Sequence, residues 1–135
     1  MILMFQKEVA DRILANVNSK NYSRITILSN WKFDIKRIID VKPSSFFPKP
    51  KVHSAVLEFL PKKKIHEIRD PRNLEKITKI FFNQRRKMIK KPFNQLFNGD
   101  KRVLNKLKID LNLRPQNIDL ETYYKLTCEY ESLRC

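Results

Sequence analysis

Glycine is almost missing from this chain: Gly99 is the only one in 135 residues. Gly-rich loops let a backbone cradle a nucleotide phosphate or come close to a cofactor. Neither the P-loop nor the dinucleotide spacing therefore occurs, and no nucleotide-type cofactor site is expected within the chain itself. Cysteine is scarce as well. Cys128 and Cys135 stand near the C-terminal end, far in sequence from His53 and His66. Neither spacing forms a zinc set or a disulfide framework, so reduced thiols and no bound metal are expected. No apolar run is long enough to cross a membrane, and Met1–Phe5 is a short apolar stretch stopped by Gln6 and Lys7 rather than a signal peptide. A cytoplasmic protein without a membrane partner is expected. The last deficit is in acidic residues, with 14 Asp and Glu against 29 Lys and Arg and a net charge of +15.

That excess points to a polyanionic partner, RNA or the ribosome ahead of DNA or a membrane. A basic protein whose lysines merely follow codon composition is the other reading. With 41% apolar residues the chain can build a core, so it is no disordered basic tail. Residues 2–6 read as a buried strand, and Val9, Ile13 and Leu14 share one face of a following helix. Ser23 is placed to cap a helix through Ile25, Ile27, Leu28 and Trp31. The β-branched run Phe33–Val41 and the alternating run Val52–Leu60 read as strands. Pro61-Lys62-Lys63-Lys64 marks a boundary, beyond which the periodicity is helical. Asp70-Pro71 signals a helix start, with Leu74, Ile77, Ile80, Phe81 and Met88 as its apolar face. Gly99-Asp100 restarts the pattern through Val103, Leu104, Leu107 and Ile109. Asp119 opens a last helix bearing Tyr123, Tyr124 and Leu126.

Between the two later strands lies Phe46-Phe47-Pro48-Lys49-Pro50-Lys51-Val52-His53-Ser54-Ala55. The prolines fix φ and bias Phe47 and Lys49 toward extended geometry, which shapes the loop before any partner arrives. Aromatic faces beside two cations suit an unstacked base next to a phosphate. Two phenylalanines before a strand can equally serve as core plugs, and these residues alone leave both readings open. Downstream, Gln84-Arg85-Arg86-Lys87 with Lys90-Lys91 would place several cations on about two helical turns. With no Glu at i+4 to balance them, an external polyanion is favoured over a solvated face. Glu8 and Arg12 have the i,i+4 spacing of a simple ion pair.

Three blocks carry a family resemblance. Phe5-Gln6-Lys7-Glu8-Val9-Ala10-Asp11-Arg12 resembles the "QKEVAxR" strand–helix corner of the KsgA/Erm family of rRNA adenine N6-dimethyltransferases. Ser44–Val56 resembles its "FxPxPKVxSxV" segment, and Phe82–Lys87 its "FxxRRK" helix. The blocks occur in family order and cover nearly the whole chain. The double Phe and the Gln-Arg-Arg-Lys run resemble the KsgA branch more than the Erm branch.

The resemblance implies an α/β plus all-α chain. Residues 1–61 would be the C-terminal third of a Rossmann-like class I methyltransferase domain, with about three strands of its sheet, and residues 62–135 a small helical domain. By resemblance Phe46 stacks on the flipped adenine, Phe47 packs the loop or shares the stack, and Lys49 and Lys51 meet phosphates. Gln84, Arg85, Arg86, Lys87, Lys90 and Lys91 would contact rRNA of the small subunit. Such stacking is worth roughly 1–3 kcal/mol per base. The family's S-adenosylmethionine loop and its Asn-[Leu/Ile]-Pro-[Tyr/Phe] motif have no counterpart here. No catalytic residue is therefore assigned within the chain, S-adenosylmethionine is expected for the full-length parent alone, and the chain is expected to be inactive by itself. A stand-alone rRNA- or ribosome-binding module is the alternative, and a helical DNA-binding domain ranks last because no helix–turn–helix pair is found. The apolar edge of strand 2–6 is expected to recruit a second copy or else to fray.

Overall fold

The computed structural model describes residues 1–42 and 53–133. Its first part is an antiparallel sheet of three strands, β1 (Ile2–Gln6), β2 (Phe33–Val41) and β3 (Ser54–Pro61), in the order β1-β3-β2. Helices α1 (Lys7–Ile13) and α2 (Arg24–Ser29) lie between β1 and β2 in sequence. Alternation along β3 sets which face is covered. Ala55, Leu57 and Phe59 point into a small core with Ala10 and Ile13 of α1, against which Phe5, Phe33 and Ile35 pack. Val56, Glu58 and Leu60 have the opposite parity. On that face Ile2, Met4, Ile39 and Leu60 stay exposed around a Lys36–Glu58 ion pair of 3.3 Å. A bulge between Arg37 and Ile39 shifts the β2 register by one residue, and the pairing still closes at Val41–Ser54.

The second part holds α3 (Pro71–Phe82), α4 (Lys90–Phe97), α5 (Lys101–Leu107) and α6 (Leu120–Ser132), with a 3-10 turn at Pro115–Asn117. As the sequence signals suggest, Asp70 and Asp119 cap α3 and α6, their carboxylates accepting from the N–H groups of Arg72 and Thr122. Between α4 and α5 the chain passes through left-handed backbone at Asn98 (φ 52°) and Gly99 (φ 70°), which is where the lone glycine is needed. The large core joins Leu74, Ile77, Phe81, Ile89, Phe93 and Leu126 to Tyr22, Ile27 and Trp31 from the first half. Core membership thus crosses residue 61. Tyr22, beside a polar loop in sequence, is fully buried.

Three side chains of α6 and one from the first half satisfy backbone groups across this core. Tyr124 donates to the Ile27 carbonyl at 2.6 Å, Tyr123 to Pro115 at 2.6 Å, and Tyr22 to Ile118 at 2.7 Å. Burial raises the pKa of each phenol, so all three remain donors at any ordinary pH. Glu131, only 7% exposed, accepts from the backbone N–H of Arg69 and Asp70 at 2.9 Å each and from Asn73 Nδ2 at 2.7 Å. Burial pushes its pKa up, but these hydrogen bonds outweigh that and hold it below the ordinary carboxylate value. Its stabilising contribution is therefore complete above the unfolded-state pKa and is lost as pH falls through the depressed folded value. Glu131→Gln should cost about 1–3 kcal/mol at neutral pH and flatten the acid limb of the stability profile. Tyr124→Phe should cost about 1 kcal/mol with no such pH dependence. Denaturant titrations across the acid range check both.

Candidate nucleic-acid interface

The apolar stripe of α3 runs through Leu74, Ile77 and Phe81, and its next members would be Gln84, Arg85 and Met88. Turning a guanidinium into the core carries a large desolvation cost. The helix stops at Phe82 instead, and residues 83–87 form turns. The helix anticipated for the Gln-Arg-Arg-Lys run is therefore corrected to a turn, and Met88, anticipated on the apolar face, is 54% exposed. Ile89 takes over the anchoring role. It is fully buried, its N–H donates to the Leu113 carbonyl at 2.8 Å, and its carbonyl accepts from Phe93 as α4 begins.

That Ile89–Leu113 bond draws the segment ahead of the 3-10 turn against the start of α4. The result is an open cleft of about 590 Å³ walled by Arg86, Lys87, Lys90, Lys91 and Arg114, with Asn94 and Met88. None of the five cations forms an ion pair among the described residues. Residues 76–99 contain no Asp or Glu at all. Lys90 and Lys91 occupy the first positions of α4, where the helix dipole already presents partial positive charge, and no side chain caps that end. Like charges crowded in this way are relieved by a bound anion. Gln84 lines a neighbouring cleft of about 180 Å³ that shares Lys87 and Lys91.

Arg85 points elsewhere. Its Nη2 donates to the Lys20 carbonyl at 2.7 Å and more weakly to Ser19 at 3.4 Å, and its guanidinium lies 5.9 Å from the Phe82 ring centroid. It thereby ties the 16–21 loop to the end of α3. Phe46, Phe47, Lys49 and Lys51 lie outside the described residues. Arg114 and Asn94 escaped the sequence reading. Arg114 stands alone in a loop, and only the Ile89–Leu113 contact brings it to the cleft. Asn94 had a weak signal, one helical turn after Lys90.

The family model for ribosomal RNA adenine dimethylases matches residues 1–132. The chain belongs to that family. Relatives of the dimethylase family include the ribosomal RNA small subunit methyltransferase A of Pelagibacter ubique (strain HTCC1062), 58% identical over 99% of this chain and 51% of the relative. The protein of the same name from Wolbachia sp. subsp. Drosophila simulans (strain wRi) is 39% identical over 100% of the chain and 50% of its own length. The chain thus spans about half the length of these curated relatives. Among solved structures, a dimethyladenosine transferase from Plasmodium falciparum superposes with a TM-score of 0.81 at 29% identity, covering 97% of this chain and 56% of that one. The 23S rRNA methyltransferase ErmE, at 17% identity and a TM-score of 0.62 over 96% of this chain and 54% of its own, shares the fold.

The contacts of Arg85 yield a test. Arg85→Ala should leave the rest of the fold intact, lower stability by about 1 kcal/mol, and speed tryptic cleavage after Lys20. Proteolysis time courses on the two proteins read this out.

Proposed function

We propose that this chain is the RNA-gripping portion of an rRNA adenine N6,N6-dimethyltransferase acting on small-subunit rRNA in the cytoplasm. Residues 1–61 would complete a Rossmann-like class I methyltransferase domain, and residues 62–135 would form its helical domain. The observation that carries the reading is the cleft of Arg86, Lys87, Lys90, Lys91 and Arg114, five cations without a carboxylate partner among the described residues, in a chain of the dimethylase family. Phosphodiester groups fit there because guanidinium and ammonium groups supply charge and N–H donors together. Phosphate contacts fix the register of the RNA, while base-specific capture falls to Phe46 and Phe47 with Lys49 and Lys51.

S-adenosylmethionine is the methyl donor this reading implies for the full-length protein. The described residues do not fit it. Their one glycine closes α4, with the Asn94 amide oxygen 3.4 Å from where a β-carbon would sit, so it cradles no cofactor. The cofactor's sulfonium is itself a cation and would be repelled by the basic cleft. The part of this chain in methylation is thus to position the adenine, since productive alignment of amine and methyl is where such enzymes gain most of their rate.

Self-association is a further part of the proposal. β1 pairs only with β3 among the described residues, and Ile2 and Met4 beside its other edge are 60% and 54% exposed. Such an edge invites a strand from a second copy. Sedimentation should show dimers that Met4→Lys abolishes; a monomer at high concentration would count against it.

For the RNA reading, each cation of the cleft replaced by Ala should lower the slope of log affinity against log salt by about 0.7–0.9 and weaken binding evenly across sequences. The isolated chain, supplied with S-adenosylmethionine and small-subunit rRNA, should bind the RNA and methylate nothing. Affinity indifferent to these substitutions would overturn the proposed grip, and turnover above background would overturn the purely positioning role.

A further inference from the structure

A second cleft, of about 380 Å³, meets the 83–87 turn at Arg85. Its rim carries Arg12, Arg24 and Arg85, and its floor is Val9, Ile25 and Phe82. We propose that it is a second RNA-strand site, in which the three guanidinium groups take phosphates and the apolar floor lies against a nucleoside. The proposal deepens the RNA-gripping reading above, because the consecutive residues Arg85 and Arg86 line the two clefts.

The convergence of the three arginines is built into the fold. The Thr26 hydroxyl donates to the Arg12 carbonyl, and Asn30 Nδ2 donates to the Ile13 carbonyl at 2.8 Å, which holds α2 against the end of α1. Arg12 and Arg24 therefore reach the cleft from adjoining helices. Arg24 is steadied over α3 by Nη2 donating to the Glu75 carbonyl at 3.1 Å and by Nε, 3.4 Å from the Thr78 hydroxyl. Arg85 enters from the turn, steadied by the Lys20 carbonyl. The partners of Arg24 and Arg85 are neutral. They orient each guanidinium without cancelling its charge and leave most of its N–H donors uncommitted. Arg12 alone has an acidic partner, Glu8 at 2.9 Å, and both side chains are half or more exposed. Exposed pairs of this kind are weak, so a phosphate competes readily for Arg12.

Charge alone would suit any polyanion. The floor narrows the choice, since Val9, Ile25 and the half-buried Phe82 ring offer apolar contact that a bare phosphate cannot use. A sugar and base can use it, and aromatic rings beside arginines take up nucleobases without regard to sequence.

Two substitutions on the exposed face of α1 test this with opposite signs. The probes are a single-stranded oligoadenylate of about a dozen nucleotides and inorganic tripolyphosphate, measured on the whole chain across a salt series. Arg12→Ala should weaken oligoadenylate binding about threefold or more and lower the salt slope by about 0.7. Glu8→Gln, which frees Arg12, should tighten binding about twofold. Lys90→Ala in the first cleft serves as the comparison. If Lys90→Ala weakens binding while Arg12→Ala and Glu8→Gln change nothing, the second site is overturned and the first stands. If only the α1 substitutions act, the second site stands and the first falls. Tripolyphosphate competing as well as the oligonucleotide would overturn the nucleoside contact, and a chain that binds no RNA overturns both sites.

Discussion

The last helix clasps the rest of the molecule through polar side chains that reach backbone groups of other elements. Glu131 closes the N-terminal end of α3, Tyr124 reaches the carbonyl of Ile27 in α2, and Tyr123 secures the turn at Pro115. Each bond gives a backbone group a side-chain partner, and losing a partner inside a core costs more than the net worth of the bond itself. The hydroxyls also fix orientation, because a phenol that must reach one carbonyl cannot slide along an apolar surface. Helices as short as α4 and α5 would not persist alone in water. They hold their place because Phe93, Phe97 and Val103 pack into a core whose geometry α6 has set.

A core fastened in this way tolerates an unfavourable exterior. Cations cluster from Arg85 to Lys91 and around Arg114, and two of them sit at the wrong end of a helix dipole. Natural sequences accept such local conflict at sites of function and compensate elsewhere. Here the compensation is the buried Ile89, whose hydrogen bond to Leu113 holds the turn while its neighbours carry the charge outward. The same turn gives adjacent arginines different surroundings, Arg85 at the 16–21 loop and Arg86 in the larger cleft.

Local signals made much of this legible in the sequence. Residues 2–6 and 33–41 read as strands, and so they are, but the first is corrected from buried to largely exposed, because β1 is an edge strand whose Ile2, Leu3 and Met4 stay open. Asp70-Pro71 and Asp119 announced α3 and α6 because an N-cap is a property of three or four consecutive residues. What stayed hidden depended on distant partners. A Gln-Arg-Arg-Lys run continues a helix on propensity alone, and only the core position that Arg85 would have entered ends it. Glu131 looks like any solvated helix residue until the start of α3 is known to lie against it. Tyr22, next to Asn and Ser, gave no hint that it would be fully buried and donate across 96 positions of sequence. The order β1-β3-β2 also exceeds what strand patterns contain, because alternation specifies a face and not a neighbour.

Trp31 is the sole tryptophan of the chain, and it lies where the two halves meet. Its indole N–H donates to the His66 carbonyl at 2.9 Å, and the Lys32 ammonium stands 4.7 Å from its ring centroid. An indole so placed is a built-in optical gauge of the seam. Its emission can be read without a label and without interference from a second indole. A red shift preceding global unfolding would mean that the sheet and the helices part before either melts, whereas a shift coincident with far-ultraviolet dichroism would mark them as one cooperative unit.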